Sequence, residues 1–135
     1  MPQRFTRREC LALAAAAARP PGVLVDTHIH LFAADQKRFP YHPNPTYGPA
    51  AQPLEPYLAF ALKAKIDRVV IVHPEPYQDD HRYLEYCFLN EPSPGFFKGT
   101  CLFDPTAAET PARMEALVRK RSEEHTSELQ SRHNL

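Results

Sequence analysis

The chain has 135 residues, with 16 basic and 16 acidic side chains and 43% hydrophobic residues, enough for one modest domain and too few for a second sizeable core. A formal net charge of zero excludes the strong field that draws a protein to nucleic acid or to an anionic membrane surface. Three widely spaced cysteines, Cys10, Cys87 and Cys101, cannot make a disulfide framework or a zinc knuckle, while 15 prolines, about twice the usual share, require stiff loops between structured segments.

Residues 1–22 run from a basic stretch (Arg4, Arg7, Arg8) through the apolar run Leu11 to Ala18 into the break Arg19-Pro20-Pro21-Gly22. Basic, then apolar, then small is the order of an export signal, and Thr6-Arg7-Arg8-Glu9-Cys10-Leu11 resembles the twin-arginine type. That reading makes the mature protein periplasmic or secreted; the alternative is a frayed, alanine-rich N-terminal helix on a cytoplasmic protein. The apolar run falls well short of the roughly 20 residues that span a bilayer, so no stable membrane insertion is expected.

From Val23 an apolar run rich in β-branched residues continues through Asp26-Thr27-His28-Ile29-His30 to Phe32 and predicts a first strand. Ala33 to Pro56 holds six prolines together with Phe39, Tyr41 and Tyr47, which excludes a helix interior or a central strand. A loop of this length in a small domain is usually functional, and its aromatic residues suggest that it folds over something. A helix is expected from Leu54, with Leu58, Ala61 and Leu62 on one face and Glu55 favoured in its first turn. Arg68-Val69-Val70-Ile71-Val72-His73, stopped by Pro74, is the clearest strand. Asp79 or Asp80 is expected to cap a second helix to about Asn90, with Tyr83, Leu84, Cys87 and Phe88 on one face. Phe96 to Phe103 reads as a third strand, with Cys101 in its core. Thr106 or Thr110 then caps a last helix with Met114, Leu117 and Val118 on an apolar stripe.

Residues 121–135 contain only Leu129 and Leu135 as aliphatic residues and present no hydrophobic face to bury. Arg121 to Ser131 resembles the conceptual translation of a sequencing-library adapter. In that reading 121–135 is a non-native or disordered tail, the native chain continues past Lys120, and residues 23–120 form the domain; neither His125 nor His133 is assigned a function.

Alternation of strand and helix places the chain in the α/β class with parallel strands. Eight such units and about 250 residues make a TIM barrel, so the fold expected is an incomplete TIM (β/α)8 barrel, its first three βα units only. A small open α/β sheet is the alternative, although no Gly-rich turn after a strand supports a dinucleotide or phosphate site.

The candidate chemistry sits at the end of the first strand. Side chains two apart share a face of a strand, so Asp26, His28 and His30 are expected on one side, with Thr27 and Ile29 on the other. His28 and His30 are then placed to share one divalent metal, Zn²⁺ being the leading candidate, as neutral nitrogen ligands. Two ligands leave the site incomplete, and others must come from elsewhere. Asp26 is expected to orient the strand end or a histidine rather than to ligate. The bland alternative makes both histidines half-buried strand residues bonded to backbone.

The stretch Val25-Asp26-Thr27-His28-Ile29-His30-Leu31-Phe32, with Phe39-Pro40-Tyr41 after it, resembles the opening of the amidohydrolase-related family of TIM-barrel enzymes. The similarity is strongest to the branch containing dicarboxylate lactone hydrolases and metal-dependent decarboxylases. It extends over residues 23 to about 118, with Val72-His73-Pro74 and Phe103-Asp104-Pro105 as later strand ends. The resemblance implies that His28 and His30 lie in the active site as metal ligands, and that the full-length parent is a hydrolase. It would use activated water on a lactone, ester or amide of a small, carboxylate-bearing organic acid. The family draws a further histidine from strand five and a general-base aspartate from strand eight, and no residue here matches either. Asp26, Asp79 and Asp104 are not substitutes, so the catalytic residues stay unassigned and the chain alone is expected to be inactive.

His73, ending the second strand, and Tyr47, in the long loop, are candidate substrate contacts at the face where barrel active sites gather. Asp104 reads as a turn or cap. Cys87 and Cys101 lack the neighbouring base a nucleophile needs. Competing readings are a metal-dependent decarboxylase of the same family, a deoxyribonuclease-like or phosphoesterase-like hydrolase, and a non-catalytic α/β module. Absence of net basicity favours a small organic acid over nucleic acid.

Overall fold

The computed structural model describes residues 22–132, with side chains as far as Arg121. The export signal expected at the N-terminus therefore lies outside the described residues, as do the side chains from 122 onward.

Three strands, β1 (Val25–Ile29), β2 (Arg68–Ile71) and β3 (Phe97–Gly99), alternate with helices α1 (Leu54–Lys63), α2 (Arg82–Leu89) and α3 (Thr110–Arg132). The strands form one parallel sheet in the order β1-β2-β3, as the alternation predicts. Parallel neighbours need a long crossover between them, and a helix supplies each one. Among the described residues no helix is long and apolar enough to cross a membrane.

The helices cover one face of the sheet. Val69 and Ile71 on β2 and Phe97 on β3 are buried, as are Leu54 and Ala61 of α1 and Tyr83, Leu84 and Cys87 of α2, all in one apolar cluster. Val70 and Val72 alternate with them and are only half-buried, which marks the other face as open. Each of the large buried side chains stabilises the fold by about 1.5–3 kcal/mol through burial alone.

The helix boundaries follow local chemistry. α1 begins just after Pro53, with Pro56 in its first turn, where the missing N–H costs nothing. It closes on Lys65, in the left-handed region at φ 57°, which lets the Ile66 amide donate to the Ala61 carbonyl at 2.9 Å. Leu62, expected on the buried face with Leu58 and Ala61, is exposed; Ala61 is buried as expected, Leu58 packs against the cluster and Leu54 joins it, which fixes the helix rotation. At the start of α2 the Asp80 carboxylate accepts the Arg82 amide at 3.1 Å, a first-turn donor that needs a partner.

The third strand is shorter than its sequence pattern. Among the described residues no strand lies beyond β3, and its pairing ends with β2, so Cys101 to Phe103 leave the sheet and Cys101 is exposed rather than buried. Met114 and Val118, expected on a buried stripe of α3, are exposed as well. Asp104 serves as a turn, its Oδ1 accepting the amide and hydroxyl of Thr106 at 2.8 and 2.7 Å.

Gly99 is set by packing. A Cβ there would lie 2.7 Å from Phe88 Cζ and 3.1 Å from Leu84 Cδ1, and the Phe88 ring is itself held under the Arg121 guanidinium, 4.2 Å from its centroid. Gly99→Ala is expected to lower folding stability by about 1–3 kcal/mol, the usual cost of overpacking, measured by urea denaturation. An unchanged midpoint would show that the ring swings aside freely.

The long loop is closed at its neck. Phe32 and Gln52 exchange two backbone hydrogen bonds, each 2.9 Å. What the loop folds over is the β2–α2 connection. The His42 amide donates to the Pro76 carbonyl at 2.7 Å, Thr46 donates its hydroxyl to Glu75 at 2.6 Å, and Phe39 is buried against Tyr83 and Tyr86.

Candidate metal centre

His28 and His30 meet at the C-terminal end of β1, on the open side of the sheet. Their rings lie edge to face, centroids 4.9 Å apart, with the two Nε2 atoms separated by 3.3 Å. His30 Nδ1 donates to the Val72 carbonyl at 2.8 Å, which leaves its Nε2 as a lone-pair acceptor. The Nε2–H of His28 then donates to it, and ligation through that nitrogen would require its proton to move to Nδ1. Both residues are exposed among the described residues.

The spacing suits a shared ligand. Two imidazole nitrogens bound to one tetrahedral Zn²⁺ at about 2.0–2.1 Å stand about 3.3–3.4 Å apart, and the separation here is 3.3 Å. The Val72 carbonyl supplies the outer hydrogen bond that fixes tautomer and ring orientation in metal-ligating histidines. Among the described residues no group of three or more His, Cys, Asp or Glu side chains gathers to hold an ion. The pair alone offers two nitrogens.

Asp26 does not share the face of the histidines. Its register partner is Val69, and the next pair is Ile29 with Ile71, so β1 takes three steps where β2 takes two. This bulge breaks the two-residue alternation. Asp26 and Ile29 therefore lie on the helix-covered side with Val69 and Ile71, and the expectation of Asp26 beside His28 and His30 is corrected. Its Oδ2 accepts the Tyr57 hydroxyl from α1 at 2.8 Å, and its Oδ1 accepts the His28 amide at 3.4 Å.

His73 shares the parity of Val69 and Ile71, on the helix-covered side, and the structure does not bring it together with His28 and His30. It is buried, and its Nε2–H donates to the Gln78 carbonyl at 2.8 Å. Gln78 is in the left-handed region at φ 47°, a strained setting for a residue with a Cβ. The His73 ring lies against His81, centroids 4.4 Å apart. Burial, then the neighbouring His81, pushes the His73 pKa down to about 4. His81 Nε2 accepts the Leu102 amide at 3.1 Å, tying the segment after β3 to the start of α2. Burial, then Arg113, lowers its pKa too.

Tyr47 is exposed near the tip of the loop, its ring edge-on to Phe32 at 6.5 Å between centroids. Phe32 in turn lies 6.3 Å from His30, which puts Tyr47 on the same side of the site at one remove. Tyr57 and His81 carry no local sequence signal for these roles. Each acts across a sequence gap, Tyr57 on a strand 31 residues away and His81 on an amide 21 residues away.

A cleft of about 470 Å³ between α2 and α3 is lined by Asp79, His81, Phe103 and Arg113 among others. It is bordered by ion pairs Asp79–Arg113, Asp80–Arg82 and Glu85–Lys120, and it includes none of the residues of the histidine pair.

No protein-family model matches the chain, and no curated protein matches it. Among solved structures it is similar to the apo crystal structure of Agrobacterium tumefaciens ATU3138, at 24% sequence identity and a TM-score of 0.57. The likeness is one of fold. It covers 76% of this chain and 36% of that one, so the chain spans about a third of the length of the protein it resembles.

Proposed function

We propose that the chain is the opening portion of a (β/α)8-barrel hydrolase of the amidohydrolase-related kind, with His28 and His30 as two ligands of a divalent metal, Zn²⁺ foremost. The observation that carries this reading is the 3.3 Å approach of two Nε2 atoms at the C-terminal end of a parallel strand, where barrel active sites collect. A second support is the open face of the sheet, which a closed barrel turns into its interior.

In this reading a bound metal supplies an activated water and polarises the substrate carbonyl. The chain's own residues supply orientation. Val72 holds the proton of His30 on Nδ1 and aims its Nε2 outward, and His28 Nε2 converges on the same point. Further ligands and the base that receives the water's proton come from later strands of the barrel. The substrate class is a lactone, ester or amide of a small organic acid, with Tyr47 a candidate contact from the loop. His73 serves the framework under the β2–α2 turn rather than the substrate.

The test is metal uptake. Zn²⁺ binding measured by competition with a chromophoric chelator is expected for the purified chain and is expected to be lost in the His28→Ala/His30→Ala double variant. In the full-length protein the same pair of changes is expected to abolish hydrolysis of such substrates. Unchanged metal content and activity in the double variant would refute the assignment.

A further inference from the structure

We propose that Tyr57 is a positioning residue for the histidine pair, acting through Asp26 on the bulge of β1; the proposal rests on the metal-centre reading and concerns how that site is aimed.

The two histidines are anchored differently. His30 is fixed from β2, by the Val72 carbonyl at 2.8 Å. His28 receives no such bond beyond its contact with His30, and its ring direction follows from the backbone at the bulge. There Asp26 Oδ1 accepts the His28 amide, in the stretch where the register slips between Asp26 and Ile29. A bulge re-aims a side chain, and here the Asp26 carboxylate lies 3.4 Å from the exposed His28 amide. Tyr57 holds that carboxylate, its hydroxyl donating to Oδ2 at 2.8 Å.

Tyr57 is itself well placed to do this. It lies in the first turn of α1, half-buried, packed against the apolar cluster and 6.1 Å from the Phe60 ring between centroids. Burial, followed by the Asp26 carboxylate, raises its pKa far above the ordinary tyrosine value, so the hydroxyl remains a donor at any working pH. The chain of contacts runs from helix to carboxylate to backbone to ring, so the start of α1 sets the convergence of the two Nε2 atoms.

The experiment is Tyr57→Phe in the full chain, read in two ways. By NMR, the cross-relaxation between His28 and His30 ring protons is expected to weaken sharply, while contacts within the Ile71–Phe97 cluster persist. By chelator competition, Zn²⁺ affinity is expected to fall by about tenfold, the scale of an outer-shell loss; in a His28→Ala background the same change is expected to have less than about a twofold effect. Asp26→Ala removes the same link from the other side and is expected to reproduce the loss of ring contact. Intact ring contacts in Tyr57→Phe, or an equal affinity loss in both backgrounds, would overturn the proposal. If the unaltered chain takes up no Zn²⁺, the metal reading fails while the ring contacts alone still decide this one.

Discussion

Replacing Glu91 with Ala is expected to lower folding stability by about 2–3 kcal/mol, the upper range for taking the acceptor from part-buried donors. The Glu91 side chain is 5% exposed and faces Arg121 at 3.0 Å. Its two oxygens also accept the amides of Gly95 and Phe97 at 3.2 and 3.0 Å, so one carboxylate organises the turn into β3. Arg121 meanwhile donates to the Phe97 carbonyl at 3.1 Å and covers Phe88. Removal of Glu91 leaves the two amides without their acceptor, while Arg121, 20% exposed, keeps the Phe97 carbonyl and the Phe88 ring. Against total stabilities of about 5–15 kcal/mol for a domain, urea denaturation would read this as a clear fall in the midpoint. Glu91→Gln keeps one acceptor and the volume and is expected to lose distinctly less. A loss below about 1 kcal/mol for the Ala variant would show that water replaces the carboxylate at little cost.

Stability is also expected to fall steeply between pH 6.5 and about 4. The pKa of His73 is about 4 in the folded state against 6.5 ordinarily, so across that window the unfolded chain binds the proton and the folded chain does not. Stability then rises with pH through the window and is lost as the pH drops. A shift of this size corresponds to about 3 kcal/mol at 1.36 kcal/mol per unit. His81, lowered by burial and by Arg113, acts in the same direction, and a proton on its Nε2 would end its acceptance of the Leu102 amide. Asp79 and Asp80, each held below the ordinary carboxylate range chiefly by an arginine, keep their stabilising charge through most of the window and lose it only at still lower pH. Urea midpoints taken at pH 7.5, 6, 5 and 4.5 check the slope, and His73→Gln, which can still donate to the Gln78 carbonyl, is expected to flatten it. A midpoint constant over that range would refute the assignment of a buried neutral His73.

The strands and helices were legible because their residues alternate cleanly: β-branched runs at Val25 and Val69, three- and four-residue spacings after Leu54 and Arg82, and prolines between them. What the sequence left hidden was mostly tertiary. A bulge has no local signature in Asp-Thr-His-Ile-His, so strict alternation placed Asp26 with the histidines and the register moved it to the helix side. The edge position of β3 shortened a strand whose composition read to Phe103. Leu62 and Leu58 fit one helix face equally well on paper, and only packing against Val69 and Ile71 chose the rotation. The approach of His28 and His30 was suggested by their spacing, but the bulge of β1 and the bond from His30 to the Val72 carbonyl, 42 residues away, are what aim the rings. Arg121 makes a further case: a polar segment with no apolar face still supplies a cation to a carboxylate folded far from it in the chain.

The paired backbone hydrogen bonds between Phe32 and Gln52 separate two design problems. With strand end and helix start clasped together, the segment between them can grow or shrink at an entropic cost that changes only logarithmically with its length. Phe39 packed on Tyr83 and Tyr86, and the His42 and Thr46 bonds to the β2–α2 connection, pin much of that segment, so such changes are confined to its exposed tip around Gly48. If the proposed function holds, a differently shaped substrate would be met by changes at that tip, with the clasp keeping strand end and helix start in place.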